Sequence, residues 1–270
     1  MPVLDKPSTV DLDALPTEAP KSVDRKQCES TFAKIDSELA EMQELLFGAK
    51  EKGLLIVLQG RDASGKDGTV KHVCGTLNPR GINVASFGVP TVKEREHDFL
   101  WRIHAQTPGR GEMAIFNRSH YESVLVERVH ELTPKSVWKE RFAQINAFEH
   151  MLAAEGTIIL KFFLNVSKGE QKRRLLEREA DPLKAYKLNA GDWAERRLWK
   201  DFSAAYADAL GRCASPEAPW IVVPGDHKWY RNFVVAEALG NALRPHCEAW
   251  REQLTAASKK ARRTLRKLHD

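Results

Sequence analysis

Residues 60–68 read Gly-Arg-Asp-Ala-Ser-Gly-Lys-Asp-Gly, directly after an apolar run from Leu54 to Leu58. A strand-like run feeding a G-x-x-x-x-G-K loop has the form of a P-loop, which cradles phosphates with backbone N–H groups. Gly60 and Gly65 let the chain curl inward. Lys66 adds a mobile positive charge, and the helix that follows offers its positive end to an anion. The expected phosphate cradle is Gly60, Arg61, Ala63, Ser64, Gly65, Lys66, Asp67 and Gly68, with Lys71 one turn further on. One position departs from the usual motif. The Ser or Thr that binds a metal after the lysine is replaced by Asp67, and a second acid, Asp62, lies inside the loop. Two carboxylates beside bound phosphates need a cation, so the loop reads as a phosphoryl-transfer site that helps to hold its own metal.

Other strand ends supply the rest of such a site, because ligands of an open parallel sheet collect beyond the carboxyl ends of its strands. The run Glu112 to Phe116 continues as Asn117-Arg118-Ser119-His120-Tyr121-Glu122. An Asp usually ends this strand and holds the metal through water. Here the position is Asn117, and Glu122 is the acid that replaces it, so Asp62 and Glu122 are the expected metal ligands. Arg118 is placed to neutralise phosphate charge bidentately. The plainer alternative is a structural pairing of Arg118 with Glu122 or Glu127.

The charged segment 172–201 carries nine Lys and Arg side chains and is interrupted by Pro182 and Gly191. A basic helical hairpin of this kind acts as a lid over phosphates, with Arg178 and Lys187 as site residues and Asp192 as its anchor. A solvated helix pair is the plainer alternative. Phe99-Leu100-Trp101-Arg102 could wall a base pocket or belong to the core. Asp226, Lys228 and Arg231 lie after another short strand and form a candidate nucleotide wall.

These residues need a scaffold. Apolar positions Phe32, Ile35, Leu39, Met42, Leu45 and Leu46 make a helical stripe within Asp24–Lys50. Strands are expected at 54–59, 83–87, 112–116, 157–164 and 220–223. Helices are expected at 68–75, from 93 through 103, and at 134–154, 168–179, 193–210 and 228–246. Alternating strands and helices imply a mostly parallel five-stranded sheet covered on both faces, an α/β fold. Residues 1–22, rich in Pro, Thr and Asp, read as a mobile arm that lies on a neighbour's surface. Residues 251–270 end in Lys259, Lys260, Arg262, Arg263, Arg266 and Lys267, either a solvated helix end or a flexible basic tail. The long first helix and the arm point to a homo-oligomer, dimer or tetramer.

Composition sets outer limits. A chain of 270 residues with a net charge of +5 and a pI near 9.0 suits a soluble enzyme of a polyanionic ligand. The four cysteines show no metal-ligand spacing and read as reduced thiols. No signal-peptide core or membrane-length apolar run is present, so the expected location is the cytoplasm.

Several separated motifs, in order, resemble the polyphosphate kinase 2 family. They are the loop 60–68, Asp98-Phe-Leu-Trp-Arg-Ile-His104, Phe116-Asn-Arg-Ser-His-Tyr-Glu122, and Ala218-Pro-Trp-Ile-Val-Val-Pro224 with Lys228-Trp-Tyr-Arg231. The resemblance covers about Ser30 to Leu243. It implies a thymidylate-kinase-like P-loop three-layer sandwich over 23–250, with a helical lid at about 172–200. The implied activity is reversible, magnesium-dependent transfer between inorganic polyphosphate and nucleotides, with manganese as a substitute metal. The Asn-Arg-Ser-x-Tyr-Glu form resembles the subgroup that accepts AMP as well as ADP; guanine nucleotides are further candidate acceptors. Implied catalytic residues are Asp62, Lys66, Arg118 and Arg178. Lys187 binds polyphosphate in this reading, and Asp62, Lys93, Arg102, Glu122 and Asp192 serve the nucleotide. Tyr186 stands where the family often has Trp. No membrane partner is expected, and nucleic acid is not the favoured ligand. Two rivals are an ATP-dependent nucleoside monophosphate kinase, against which Asp67 argues, and a non-catalytic module that binds a polyanion through its tail.

Overall fold

The computed structural model describes residues 2–269, apart from the side chains of residues 184, 185, 187, 268 and 269. The strands are β1 (Val3–Leu4), β2 (Gly53–Gln59), β3 (Ile82–Ser86), β4 (Met113–Asn117), β5 (Thr157–Asn165) and β6 (Trp220–Pro224). The helices are α1 (Arg25–Ala49), α2 (Lys66–Val73), α3 (Val92–Arg95), α4 (Trp101–His104), α5 (Val126–Val129), α6 (Lys135–Ala154), α7 (Lys168–Ala180), α8 (Ala190–Arg197), α9 (Trp199–Arg212), α10 (Lys228–Leu243) and α11 (Cys247–His269).

The strands form one sheet in the order β1-β6-β5-β2-β4-β3. All five expected strands are present and parallel. The P-loop strand β2 is central. From it the chain builds one half of the sheet with β3 and β4, then the other half with β5 and β6. Its carboxyl end therefore lies where the topology switches direction, the usual place for a ligand crevice.

Side chains of β2 alternate between two cores, as the period of a strand requires. Leu55 and Val57 face a core shared with Phe142 and Ile145 of α6 and Leu210 of α9. Leu54, Ile56 and Leu58 face a second core with Leu39 and Leu46 of α1 and Leu239 of α10. Burial on both faces explains why β2 and β4 read as unbroken apolar runs.

The N-terminal arm departs from expectation. It adds a sixth strand, β1, antiparallel to β6, with Val3 opposite Ile221. Ser8 N donates to Gly211 O (2.9 Å), and Asp226 N donates to Thr17 O (2.9 Å). Asn165 Nδ2 donates to the carbonyls of Leu15 and Pro16. The described arm thus covers this chain's own sheet rather than a neighbour's. The driving force is the open edge of β6, whose backbone groups need partners. Two residues of strand are too few for periodicity to reveal.

Three expected helices are interrupted. The run from 93 to 103 splits into α3, started by a Thr91–Glu94 capping box, and α4. The run 193–210 breaks between α8 and α9 at Leu198. The run 228–246 ends at Leu243 and a short turn containing Pro245 before α11 begins. Of the two readings of the C-terminus, the helical one holds: α11 runs to His269.

Candidate active site

β2 delivers the chain to a loop that only glycine could build at two positions. Gly60 has φ 156°, and a Cβ there would stand 2.8 Å from Leu164 O. Gly65 caps α2 at φ 101°, and a Cβ there would overlap the Arg231 guanidinium. The turn brings Lys66 back over the loop. Its Nζ donates to Gly60 O (2.8 Å) and Arg61 O (3.2 Å). Burial pushes the Lys66 ammonium below its usual pKa, and the Asp62 carboxylate opposes that push.

β4 pairs with β2 so that Leu58 lies opposite Asn117. The register puts the end of β4 directly beside the loop. Asn117 Nδ2 donates to Asp67 Oδ1 (2.8 Å). Arg118 follows in a left-handed conformation (φ 63°) that turns its side chain away from the core and over the loop. Its Nη2 lies 2.7 Å from Asp62 Oδ1, and its Nη1 lies 3.4 Å from Glu122 Oε2. Glu122 is carried by a tight turn, His120–Ser123, that Ser119 caps. Burial pushes the Glu122 carboxyl above its ordinary pKa, and Arg118 and Lys66 offset only part of that push. The structural pairing considered for Arg118 is thus present with Glu122. Glu127 instead takes Arg141 at 2.6 Å.

Helix α7 fixes the loop from the other side. Gln171 Nε2 donates to Asp62 O (3.0 Å). The Arg174 guanidinium donates to four carbonyls, those of Ala63, Ser64, Gly225 and Asp226. Further along the hairpin, Arg178 Nη1 reaches Asp192 Oδ2 at 2.6 Å. Burial, and then Asp62, push the Asp192 carboxyl above its ordinary pKa.

These parts surround an open cleft of about 1070 Å³. Asp62, Ala63, Gly65, Lys66, Asp67, Gly68, Arg102, Arg118, Glu122, Arg178 and Asp192 all line it, as does Lys228. Other expected residues do not. The Arg61 guanidinium stacks 3.8 Å over the Trp199 ring and donates to Ser203 Oγ, because the loop turns it under α9. Ser64 is fully buried beneath the loop. Lys71 lies exposed on α2, outside the cleft lining. Lys93 stands 5.7 Å over Trp101 on the surface. Phe99 packs against the core and Trp101 stacks on His97, so of that motif only Arg102 reaches the cleft. Asp226 caps the turn before α7 by accepting from Ser167 N, and Arg231 is buried under the loop. The Lys187 side chain lies outside the described residues.

The sequence and the fold have counterparts among known proteins. The model of the family described as "Polyphosphate kinase 2 (PPK2)" matches residues 22–249. The chain belongs to the polyphosphate kinase 2 family. An AMP/ADP-polyphosphate phosphotransferase of Meiothermus ruber is 47% identical over 228 residues, covering 84% of this chain and 85% of that protein. An ADP-polyphosphate phosphotransferase of Rhodopseudomonas palustris is 38% identical over 247 residues, 87% of this chain and 86% of that one. The crystal structure of polyphosphate kinase 2 from Arthrobacter aurescens TC1 superposes with a TM-score of 0.86 at 40% identity, covering 90% of this chain and 88% of that one.

The kinase chemistry of this family implies a divalent cation, and the acids at the loop fit one. Asp62, Asp67 and Glu122 offer only carboxylate oxygens, the ligands that hard cations prefer. Among the described residues no group of three or more acidic, His or Cys side chains could hold a metal alone. A cation here would take its remaining ligands from phosphate oxygens and water.

Sequence reasoning missed the supports of this site. Gln171, Arg174 and Arg178 lie at i, i+3 and i+7, one face of α7, and that spacing would have separated Arg174 from its charged neighbours. The floor was also missed. Lys161, in the middle of β5, donates to Glu149 Oε2 (2.5 Å), Tyr121 OH (2.9 Å) and Cys213 O (2.5 Å). Glu149 Oε1 accepts from Tyr121 OH (2.8 Å) and faces His120 Nε2 (3.1 Å). This buried network anchors the turn that carries Glu122. A lysine inside an otherwise apolar strand was its one visible signal.

Proposed function

We propose that this protein catalyses the reversible, Mg²⁺-dependent transfer of a phosphoryl group from inorganic polyphosphate to AMP and ADP. One observation carries the reading: Arg118 joins Asp62 and Glu122 in the lining of the cleft that the P-loop lysine shares, close enough for all three charges to act on that lysine. Acids and bases that alternate around one cavity suit two polyanions that must meet. Relatives named for AMP and ADP support the choice of acceptors.

In this reading the loop N–H groups and Lys66 hold the transferred phosphoryl group. Two of the three Lys66 donors are spent on loop carbonyls, which fixes Nζ in place and leaves one for phosphate. Arg118 and Arg178 offset charge on the transferring group, where preorganised donors contribute most. Asp62 and Glu122 would hold Mg²⁺, which when bound would supply charge neutralisation and alignment of the attacking oxygen. Mn²⁺ is expected to substitute. Arg102 and the apolar rim formed by Val89, Pro90, Leu132 and Leu188 receive the nucleoside. Such a rim stacks on adenine or guanine alike, so guanine nucleotides are included as acceptors. Residues 172–200 act as a lid on a kinase domain spanning 23–250, and closure excludes water that would otherwise take the phosphoryl group.

The four cysteines are free and no described helix is long and apolar enough to cross a membrane; the proposed location is the cytoplasm. The proposed homo-oligomer, dimer or tetramer, now rests on α1 alone, because the arm is used within the chain.

The deciding assay incubates AMP or ADP with polyphosphate and Mg²⁺ in the absence of ATP and separates products by chromatography. Formation of ADP and ATP is expected. No product with any acceptor would end this reading. Product only when ATP replaces polyphosphate would establish the nucleoside monophosphate kinase instead.

A further inference from the structure

The chain's net charge is located in one place. Residues 259–270 hold six of the 42 basic residues and one of the 37 acidic ones, a net +5 that equals the charge of the whole chain. The preceding 258 residues hold 36 of each and are neutral. An enzyme of a highly charged polymer therefore has an electroneutral body and one cationic appendage.

That appendage lies far from the cleft. α11 descends along α1: Arg251 pairs with Glu41 at 2.6 Å, Leu254 packs on Gly48, and Gln253 Nε2 reaches Ala49 O at 3.4 Å. Ala49 precedes the amino end of β2, whereas the P-loop follows its carboxyl end. From Thr255 to Lys267 every residue is exposed. The helix beyond Leu254 thus extends into solvent for about 22 Å at the pole opposite the active site.

Its side chains are sorted. At 100° per residue, Lys259, Lys260, Arg262, Arg263, Arg266 and Lys267 fall within about 160° of the helix circumference. Ala257, Ala261 and Leu265 occupy the other side. No acid lies between Glu252 and Asp270. Like charges at i, i+4, such as Lys259 with Arg263 and Arg262 with Arg266, each destabilise a helix by about 0.2–0.5 kcal/mol. An anion along that face would remove the repulsion. The apolar side is too poor for a bilayer anchor: beyond Leu254 the sequence supplies two alanines and two leucines there, Leu265 and Leu268, with no aromatic residue.

We infer that residues 259–267 of α11 form a second polyphosphate-binding site, which tethers long chains while their ends react in the cleft. The inference rests on the polyphosphate reading above. A body of this size is about 45 Å across, so only a chain long enough to cross it engages both sites. Such a chain gains effective concentration at the cleft, and a short one gains nothing.

The test compares the full-length protein with a chain ending at Ser258, using ADP and polyphosphates of about ten and about a hundred phosphates. Truncation should raise KM for the long chain about tenfold, with kcat and the short-chain KM unchanged. The dependence of long-chain KM on salt should also become shallower. An unchanged long-chain KM would overturn the second site. So would equal losses for both chain lengths, which would mark a structural role. A variant with all six basic residues changed to Gln, keeping the helix length, should reproduce the truncation. In a direct binding arm, labelled RNA or phosphatidylserine vesicles that need α11 and resist competition by long polyphosphate would also overturn it. If the full-length protein transfers from neither chain length, it is the activity reading that fails.

Discussion

Arg118 Nη2 meets Asp62 Oδ1 at 2.7 Å, so the loop acid that sequence marks for metal is already held by the arginine that sequence marks for phosphate. The same guanidinium also touches Glu122. One planar cation therefore sets the spacing of both acids. Burial works against that charge, but Glu122 and Asp62 outweigh it and hold the guanidinium firmly protonated. Arg118→Lys keeps the charge but loses the fork that spans two partners. It should lower kcat/KM with ADP and polyphosphate by about 10²-fold, on the order of 3 kcal/mol, with little change in melting temperature. Wild-type kinetics in the lysine variant would rule out this bridging role.

Glu122 should set the acid side of the activity. Burial raises its carboxyl above the ordinary 4.5, so it takes up a proton at a higher pH than an exposed glutamate. Since the carboxylate is the form that pairs with Arg118 and, in the proposed mechanism, would hold a cation, kcat/KM should fall on acidification through that raised value. Glu122→Gln should have low activity and lose this limb of the profile. An identical acid limb in both proteins would place the titration elsewhere, in the phosphates themselves.

Arg174 fixes the loop to α7. Its guanidinium is buried and satisfies four carbonyls. Arg174→Ala leaves those carbonyls without their donor and should destabilise the protein by about 3 kcal/mol. Urea denaturation measures this directly; a loss below about 1 kcal/mol would mean that water replaces the guanidinium.

Glycine tolerance should differ sharply between two sites. Gly65→Ala forces a Cβ into Arg231 at φ 101° and should abolish phosphate binding. Gly169→Ala, inside α7 with only Ser167 Oγ at 4.0 Å, should leave activity intact and stabilise by about 0.5–1 kcal/mol. Isothermal titration with polyphosphate and thermal melts separate the two outcomes.

The buried floor gives a pH signature in stability. Burial favours the neutral form of Glu149, but the Lys161 ammonium and the hydrogen bond to His120 together outweigh it and hold the carboxyl below 4.5. A depressed folded-state pKa means that the unfolded chain binds the proton first as pH falls. The stabilisation is therefore complete above 4.5 and is lost on acidification from there down through the lower folded value. Glu149→Gln should be markedly less stable near pH 7, and the gap to wild type should close below 4.5. A gap that stays constant across this range would dissociate Glu149 from the Lys161 charge.

The sequence alone determined the local parts of this protein. Gly60, Gly65 and Lys66 specify a phosphate loop through backbone freedom and charge, which need no distant partner. The unbroken apolar runs of β2 and β4 specify a parallel sheet, because strands buried on both faces lack polar alternation. From those, the position of Arg118 and Glu122 at the neighbouring strand end followed. Tertiary structure alone decided which side chains face the cleft. Arg61 and Ser64 belong to the loop by sequence, yet one stacks on Trp199 and the other is buried, since a tight turn sends alternate residues to opposite sides. The burial of Arg174 and Arg231 under the loop, 110 and 167 residues from Ser64 in sequence, and the Lys161–Glu149 pair became visible only when distant helices closed over the loop. The arm behaved likewise: Val3 and Leu4 carry no strand signal of their own, and the unpaired edge of β6 gave them one. Long-range pairing of buried charges and backbone edges is set by what the rest of the fold leaves unsatisfied, which no local pattern encodes.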